Sequence, residues 1–330
     1  MAHLHAAGYE GRTDCEIVAL CDIRPENAEA FAQQHAPDAA IYTDYAKMLK
    51  AEKPDLVSIC LWPHLHAAAI IACAKAGVRA IHCEKPMAPT WGEAVKLAAA
   101  CEKSGTQLTF NHQRRFLPAF QKAKELADSG TIGTLVRLEG ACDNMIDWGT
   151  HWIDMMFFFN NETPAVWVLG QIDARQWHEV FGLPYEHQAI CEFKFANDVR
   201  AVLFTGEDSS IGCQMRLIGA DGVIELREGD KPVWVRAKGS GTWKTPKIEG
   251  GLHALQAVAD AIGNMIDSLK AGTEPLLSAR KALQTTEVIY ATYESSRRRG
   301  RVDLPLKAKD SAYLSMIESG DLKPVKVKKG

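Results

Sequence analysis

Apolar positions fall into two textures along this chain. Over the first third, short apolar runs alternate with alanine-rich stretches of helical period. Residues 16–21 (EIVALC), 55–61 (DLVSICL), 78–83 and 107–111 read as buried strands, with helices over 64–76 and 90–104 between them. Another helix opens at Arg24-Pro25-Glu26, where a proline's fixed φ and missing N–H suit a first turn. Strands separated by helices of this length predict a parallel sheet covered on both faces.

From about residue 116 the pattern changes. A helix over 118–129, a strand over 134–141 and a helix over 147–159 lead into alternating strand-like runs at 165–171, 187–195, 199–205, 214–219, 222–228 and 232–237. Turn residues such as Asn197-Asp198 and Ala220-Asp221-Gly222 separate several of them, as hairpins require. Two long helices follow, over 253–271 and 278–299. The expected organisation is a parallel α/β domain over 1–115, a mixed, largely antiparallel sheet domain backed by helices over 116–305, and a tail over 306–330. The strands near 187–237 keep one apolar face that needs a cover, so a homodimer or homotetramer built on that sheet is expected.

Composition narrows the classes. With 47% hydrophobic and 24% charged residues and a net charge of -3, the 330-residue chain is ordinary for a globular protein, with no bias toward nucleic acid or anionic membrane. The basic runs at 297–301 and 323–329 read as a solvated helix end and a frayed tail. No apolar run nears the roughly 18 residues of a membrane span, and the first fifteen residues carry no signal-peptide core. The nine cysteines lack paired or metal-like spacing. No metal site and a reduced, cytoplasmic compartment are therefore expected.

Three groups carry candidate chemistry. Glu84-Lys85-Pro86 follows a parallel strand, where a lysine points into the ligand crevice of an open α/β sheet. The plainer alternative is a surface turn. Asp147 and His151 lie four apart on one helix face, with Asp154 three further on, which suits a carboxylate that orients an imidazole for proton transfer. The alternative is a helix cap beside a satisfied histidine. Asp22 ends a strand where an acidic residue bonds ribose hydroxyls and favours NAD, although it can equally cap the next helix. Arg24 nearby blurs the choice, since a cation accepts a 2′-phosphate.

Together these motifs resemble the glucose–fructose oxidoreductase/inositol dehydrogenase family. The resemblance runs through VALCDIR at 18–24, Trp62-Pro63-His64-Leu65-His66, Cys83-Glu84-Lys85-Pro86, Asn111-His112-Gln113-Arg114-Arg115-Phe116, Asp147-x-Gly149-x-His151-x-x-Asp154, Gly272-Thr273-Glu274-Pro275 and residues 287–305. It implies a Rossmann-like cofactor domain and hydride transfer between a nicotinamide, NAD rather than NADP, and a sugar or polyol. Lys85, Asp147 and His151 would surround the reacting carbon, with His151 as general base, Lys85 polarising the oxygen and Asp147 orienting. Asp22, Arg24, Pro63, His66, Glu84 and Arg114 would line the cofactor side, and Gln113 and Asp154 the substrate.

The chain departs from that family at two places. The opening strand and glycine-rich turn that hold the pyrophosphate are not found, and MAHLHAAG at 1–8 reads as the middle of the first helix. Without the central strand, two others should face each other across a gap, their unpaired backbone groups costing about 1–3 kcal/mol each when buried. Normal folding and NAD binding by these 330 residues are therefore not expected. About 20 to 25 further residues with such a turn should restore binding. Residues 142–146 (CDNMI) also replace a glycine-rich segment, so the loop over the substrate should differ. Two other functions share these residues: redox-neutral glycoside cleavage with retained NAD, and cofactor-less binding or scaffolding.

Overall fold

The computed structural model describes residues 1–325. In chain order the elements are α1 (Ala2–Glu10), β1 (Ala19–Cys21), α2 (Pro25–His35), β2 (Ala40–Tyr42), α3 (Tyr45–Glu52), β3 (Leu56–Ile59), α4 (Pro63–Lys75), β4 (Ala80–Cys83), α5 (Trp91–Ser104) and β5 (Gln107–Phe110). There follow a 3-10 turn (Gln113–Phe116), α6 (Pro118–Asp128), β6 (Leu135–Cys142), α7 (Trp148–Phe159), β7 (Ala165–Asp173), β8 (His178–Val180), β9 (Leu183–Tyr185) and β10 (Gln188–Phe195). The rest are β11 (Arg200–Gly206), β12 (Met215–Gly219), β13 (Gly222–Leu226), β14 (Val233–Ala237), α8 (Gln256–Ala271), α9 (Ala279–Arg298), β15 (Val302–Asp303) and α10 (Ala312–Glu318). Two compact units form. Unit 1 comprises Met1–Ala88, Val95–Gln113 and Leu255–Arg280. Unit 2 comprises Pro89–Ala94, Arg114–Ala254 and the chain from Lys281 on.

In unit 1 every strand pairing is parallel, but the sheet is in two pieces, β1–β2 and β3–β4–β5. The expected gap is present. Its edges are half-buried: β1 throughout and β3 except at Ile59. Water reaches such edges, so the full penalty of buried unpaired groups does not apply. From α1, Tyr9 reaches β3, its hydroxyl 2.8 Å from that of Ser58.

The helix expected at 253–271 in the second domain forms as α8 but belongs to unit 1. Its Ile262, Met265 and Ile266 make a core cluster with Ala80 of β4. Gly8 lets α1 lie against it, since a Cβ there would come within 2.6 Å of Ile262. Periodicity shows that α8 has an apolar face; it does not say which sheet that face meets.

Unit 2 holds an eight-stranded sheet in the order β14-β13-β12-β6-β11-β10-β7-β15, antiparallel except where β6 runs beside β11. Its inner side chains, among them Val168, Phe193, Leu203 and Leu217, are fully buried. Helix α7 packs where Gly140 of β6 leaves room, since a Cβ there would come within 2.8 Å of the Trp152 ring. Residues 306–325, within the expected C-terminal tail, include α10 and are held by packing and hydrogen bonds. Tyr313 of α10 is 1% exposed and its hydroxyl donates to the Tyr185 carbonyl, while Val325 N–H donates to the Arg175 carbonyl. Of the basic run at 323–329, residues 326–329 lie outside the described residues. The run at 297–301 closes α9, where Arg297 pairs with Glu294 and Asp310.

Candidate active site

Unit 1 brings one group of the expected residues to the carboxyl ends of β3, β4 and β5, the side where open parallel sheets hold ligands. Pro63 occupies the first turn of α4 directly beyond β3. His66, one turn on, is fully buried, with Nε2 2.9 Å from the Leu61 carbonyl. Burial holds its pKa below the usual histidine value, and a neutral imidazole donates to that carbonyl. His66 is therefore a strut within the turn that carries Pro63.

Glu84 is 6% exposed beyond β4 and half-buried Lys85 follows it. The Glu84 carboxylate accepts from Asn111 Nδ2 at 2.8 Å and pairs with His5 Nε2 of α1 at 2.8 Å. Burial opposes the charge on Glu84, but His5 and Asn111 outweigh it and hold the carboxyl below its usual range. Burial likewise opposes the His5 imidazolium, yet hydrogen bonds to Cys60 and Glu84 raise its pKa to about 9. Behind them His82, fully buried and bonded to Thr109 at 2.8 Å, is pushed down to about 3 by burial and so stays neutral. His5 and Asn111 thus fix the Glu84-Lys85 turn. Sequence reasoning gave neither a role; a histidine on the inner face of an alanine-rich helix was the available signal for His5.

Asp22 and Arg24 sit at the end of β1, in the other piece of the sheet. Asp22 Oδ1 accepts the Arg24 N–H at 2.9 Å, and the Arg24 side chain is exposed. One oxygen of Asp22 therefore shapes the turn into α2. Gln113 presents a buried amide oxygen with no hydrogen-bond partner among the described residues, an acceptor suited to a ligand hydroxyl.

Unit 2 carries the second group. Asp147 stands at the N-cap of α7 but makes no side-chain cap bond. Asn144 Oδ1 accepts the Asp147 N–H at 2.7 Å, and the Asn144 carbonyl accepts from Gly149 N–H at 2.8 Å. The simple helix-cap alternative for Asp147 is thus not what forms. One turn on, His151 is 6% exposed.

Asp154, expected at the substrate, instead meets Arg115. Its two oxygens accept from Nε and Nη2, each at 2.8 Å, in a pair that is 1% and 0% exposed. Arg115 also pairs with Glu162. A buried guanidinium needs such fork-to-fork partners, and Asp154 supplies them. Arg114 is 5% exposed, its guanidinium 4.3 Å from the Trp152 ring centre and 5.3 Å from that of Trp148, and it donates to the Leu252 carbonyl at 2.9 Å. Burial lowers its pKa to about 10, with Glu228, Cys142 and Asp147 acting in opposition. Arg114 therefore sits in the electrostatic field of Asp147, although it was expected on the cofactor side.

A nicotinamide dinucleotide fits these residues in part. The strand-end turns of unit 1 suit its ring and riboses. Gly8 of α1 is taken up by packing on Ile262.

A split but recognisable dinucleotide-binding sheet, followed by a large sheet whose helix opens on Asp147 and His151, defines an oxidoreductase fold. Residues 1–112 match the family model described as "Oxidoreductase family, NAD-binding Rossmann fold". The D-apiose dehydrogenase of Paraburkholderia graminis is 27% identical over 348 aligned positions, covering 96% of this chain and 90% of that protein. The D-glucoside 3-dehydrogenase of Escherichia coli is 33% identical over 132, covering 40% and 37%. A levoglucosan dehydrogenase solved with NADH and levoglucosan superposes with a TM-score of 0.80 at 18% identity, over 93% of this chain and 97% of that one. Over residues 1–112 the chain is thus similar to the glucose–fructose oxidoreductase/inositol dehydrogenase family, and over most of its length to these dehydrogenases.

Proposed function

We propose that the chain is a dehydrogenase that moves a hydride between NAD and a sugar or polyol. One observation carries this reading. Asp147 opens α7 without capping it, Asn144 doing that work, so a carboxylate is held one turn ahead of the buried His151. Bound nicotinamide supplies the hydride acceptor. His151 takes the proton of the reacting hydroxyl, Asp147 orients the imidazole, Lys85 polarises the oxygen, and the Gln113 amide oxygen accepts from a neighbouring hydroxyl. Asp22 favours NAD over NADP, because a carboxylate repels a 2′-phosphate. Relatives named for D-apiose, D-glucoside and inositol support a carbohydrate substrate. The test is NADH formation from NAD across a panel of free sugars and polyols. Formation with one of them is expected, and none from any, with NAD shown to bind, overturns the reading.

The divided parallel sheet favours a second reading, a relative that binds carbohydrate without turnover. Calorimetry separates the two. NAD binding is expected of the dehydrogenase, and carbohydrate binding with no NAD binding would favour the second reading. The outer face of the large sheet, with Leu169 45% and Ile190 44% exposed, supports a homodimer or homotetramer.

A further inference from the structure

Glu186 lies between β9 and β10, fully buried, and no step above uses it. Its carboxylate gathers donors from three directions. Oε1 accepts the Met145 N–H at 2.6 Å and the Thr205 hydroxyl of β11 at 3.0 Å. Oε2 accepts the Tyr293 hydroxyl of α9 at 2.8 Å. The residues on either side are anchored too: the Tyr185 carbonyl accepts from Tyr313, and His187 N–H donates to the Asp173 carbonyl at 2.8 Å. The carboxylate is therefore a fixed point, and the loop over 143–147 is what hangs from it.

That loop ends at Asp147. Met145 and Ile146 are buried, and the neighbouring Asn144 accepts from Asp147 and Gly149, the first residues of the helix that carries His151. A chain of three hydrogen bonds thus runs from Glu186 through Met145 and Asn144 to the start of α7. Burial pushes the Glu186 carboxyl above its usual range despite its donors. A charged group placed there works against stability, whereas a leucine would fill the same space without that cost. A residue kept only for packing does not account for this choice.

We propose that Glu186 is a positioning residue which, by holding the Met145 amide, sets where Asp147 and the first turn of α7 stand. This rests on the dehydrogenase reading for its kinetic consequence, though not for its structural one. Two variants test it, each followed by turnover and by amide hydrogen exchange. Glu186→Leu keeps the volume and removes the acceptors. It should lower kcat about tenfold or more, leave the KM for NAD within about twofold, and speed exchange at Met145 and Asp147 about tenfold or more. Glu186→Gln retains an amide oxygen for Met145, and the Tyr293 hydroxyl can turn to accept from its NH₂. It should keep kcat within about threefold of wild type.

Unchanged exchange at Met145 and Asp147 in Glu186→Leu overturns the proposal whatever the activity, as does faster exchange with unchanged kcat. If wild type turns over no carbohydrate while Glu186→Leu still exchanges faster, the dehydrogenase reading fails and the loop anchor stands. Should Glu186→Leu not fold, Thr205→Val combined with Tyr293→Phe keeps the Met145 bond and should hold kcat within about threefold. A tenfold loss there would assign the role to the side-chain donors instead.

Discussion

The two sheets of this molecule solve the same task differently. Unit 2 runs eight strands in one continuous ladder, and α7 rests on it through Trp152 over Gly140. Unit 1 divides short strands of three or four residues between two pieces. Where the ladder is continuous, α7 packs on it, and the buried Glu186 carboxylate holds the loop that leads into the helix. In unit 1 polar side chains fix the turns beyond β3 and β4: His5 and Asn111 on Glu84, and His66 on the Leu61 carbonyl. The buried charges differ accordingly. Unit 2 relies on Arg115, which stays charged at any working pH, and unit 1 on a histidine, which does not. The His5–Glu84 pair should therefore feel pH where the Arg115–Asp154 pair does not.

The largest expected effect ignores that difference. Lys85→Met from unit 1 and His151→Ala and Asp147→Asn from unit 2 should each cut turnover about 10²–10⁴-fold while Tm moves little. His151→Ala within threefold of wild type on the true substrate would remove the catalytic assignment.

Next comes the pair in unit 2. Arg115→Met leaves Asp154 buried without its fork, and loss of one partner of a buried pair costs about 3–5 kcal/mol. Urea unfolding measures it, and a loss below about 1 kcal/mol would show that Glu162 and Asp154 adjust without the guanidinium.

The unit 1 pair should be pH-dependent. The folded pKa of His5, about 9, lies above the ordinary histidine value of 6.5, so its contribution is complete below the latter and disappears as pH rises through the former. Glu84 is shifted the other way, so its contribution is present above the ordinary carboxylate value and lost as pH falls through its lowered one. At about 1.4 kcal/mol per pKa unit, His5 accounts for on the order of 3 kcal/mol across the alkaline window. His5→Gln should flatten that limb of the stability curve, and an unaltered limb in the variant would place the titration elsewhere.

The smallest effect concerns the outer face of the large sheet. Ile190→Lys should change stability by less than about 0.5 kcal/mol, as exposed substitutions do, yet shift sedimentation from an oligomer toward the 36.3 kDa monomer. A wild-type chain already monomeric at micromolar concentration would end the oligomer proposal.

The contrast between the units also explains what the sequence discloses. The hairpin strands of unit 2 were legible to within a few residues because each carries its own alternation and turn, as at 197–198 between β10 and β11. Short pieces were not. Strand β2 has three residues, β8 and β9 three each, and α10 seven, too few for a period to show. Asp147 was legible as a helix start, but whether its carboxylate caps depends on Asn144, and that is a matter of loop geometry. Asp154 shared a face with His151 as expected; the spacing says nothing of Arg115 on the facing element.

Unit 1 is not a continuous stretch of chain. Its core closes only when Ile262, Met265 and Ile266 meet Ala80, and all of residues 114–254 are made in between. At about 5–20 residues per second, a ribosome delivers α8 on the order of 10–30 s after β5. During that interval the parallel strands lack one wall while every strand of the large sheet except β15 has already emerged. The domain begun first thus stays open until most of the other has been made, and its half-built face is what a nascent-chain chaperone would meet.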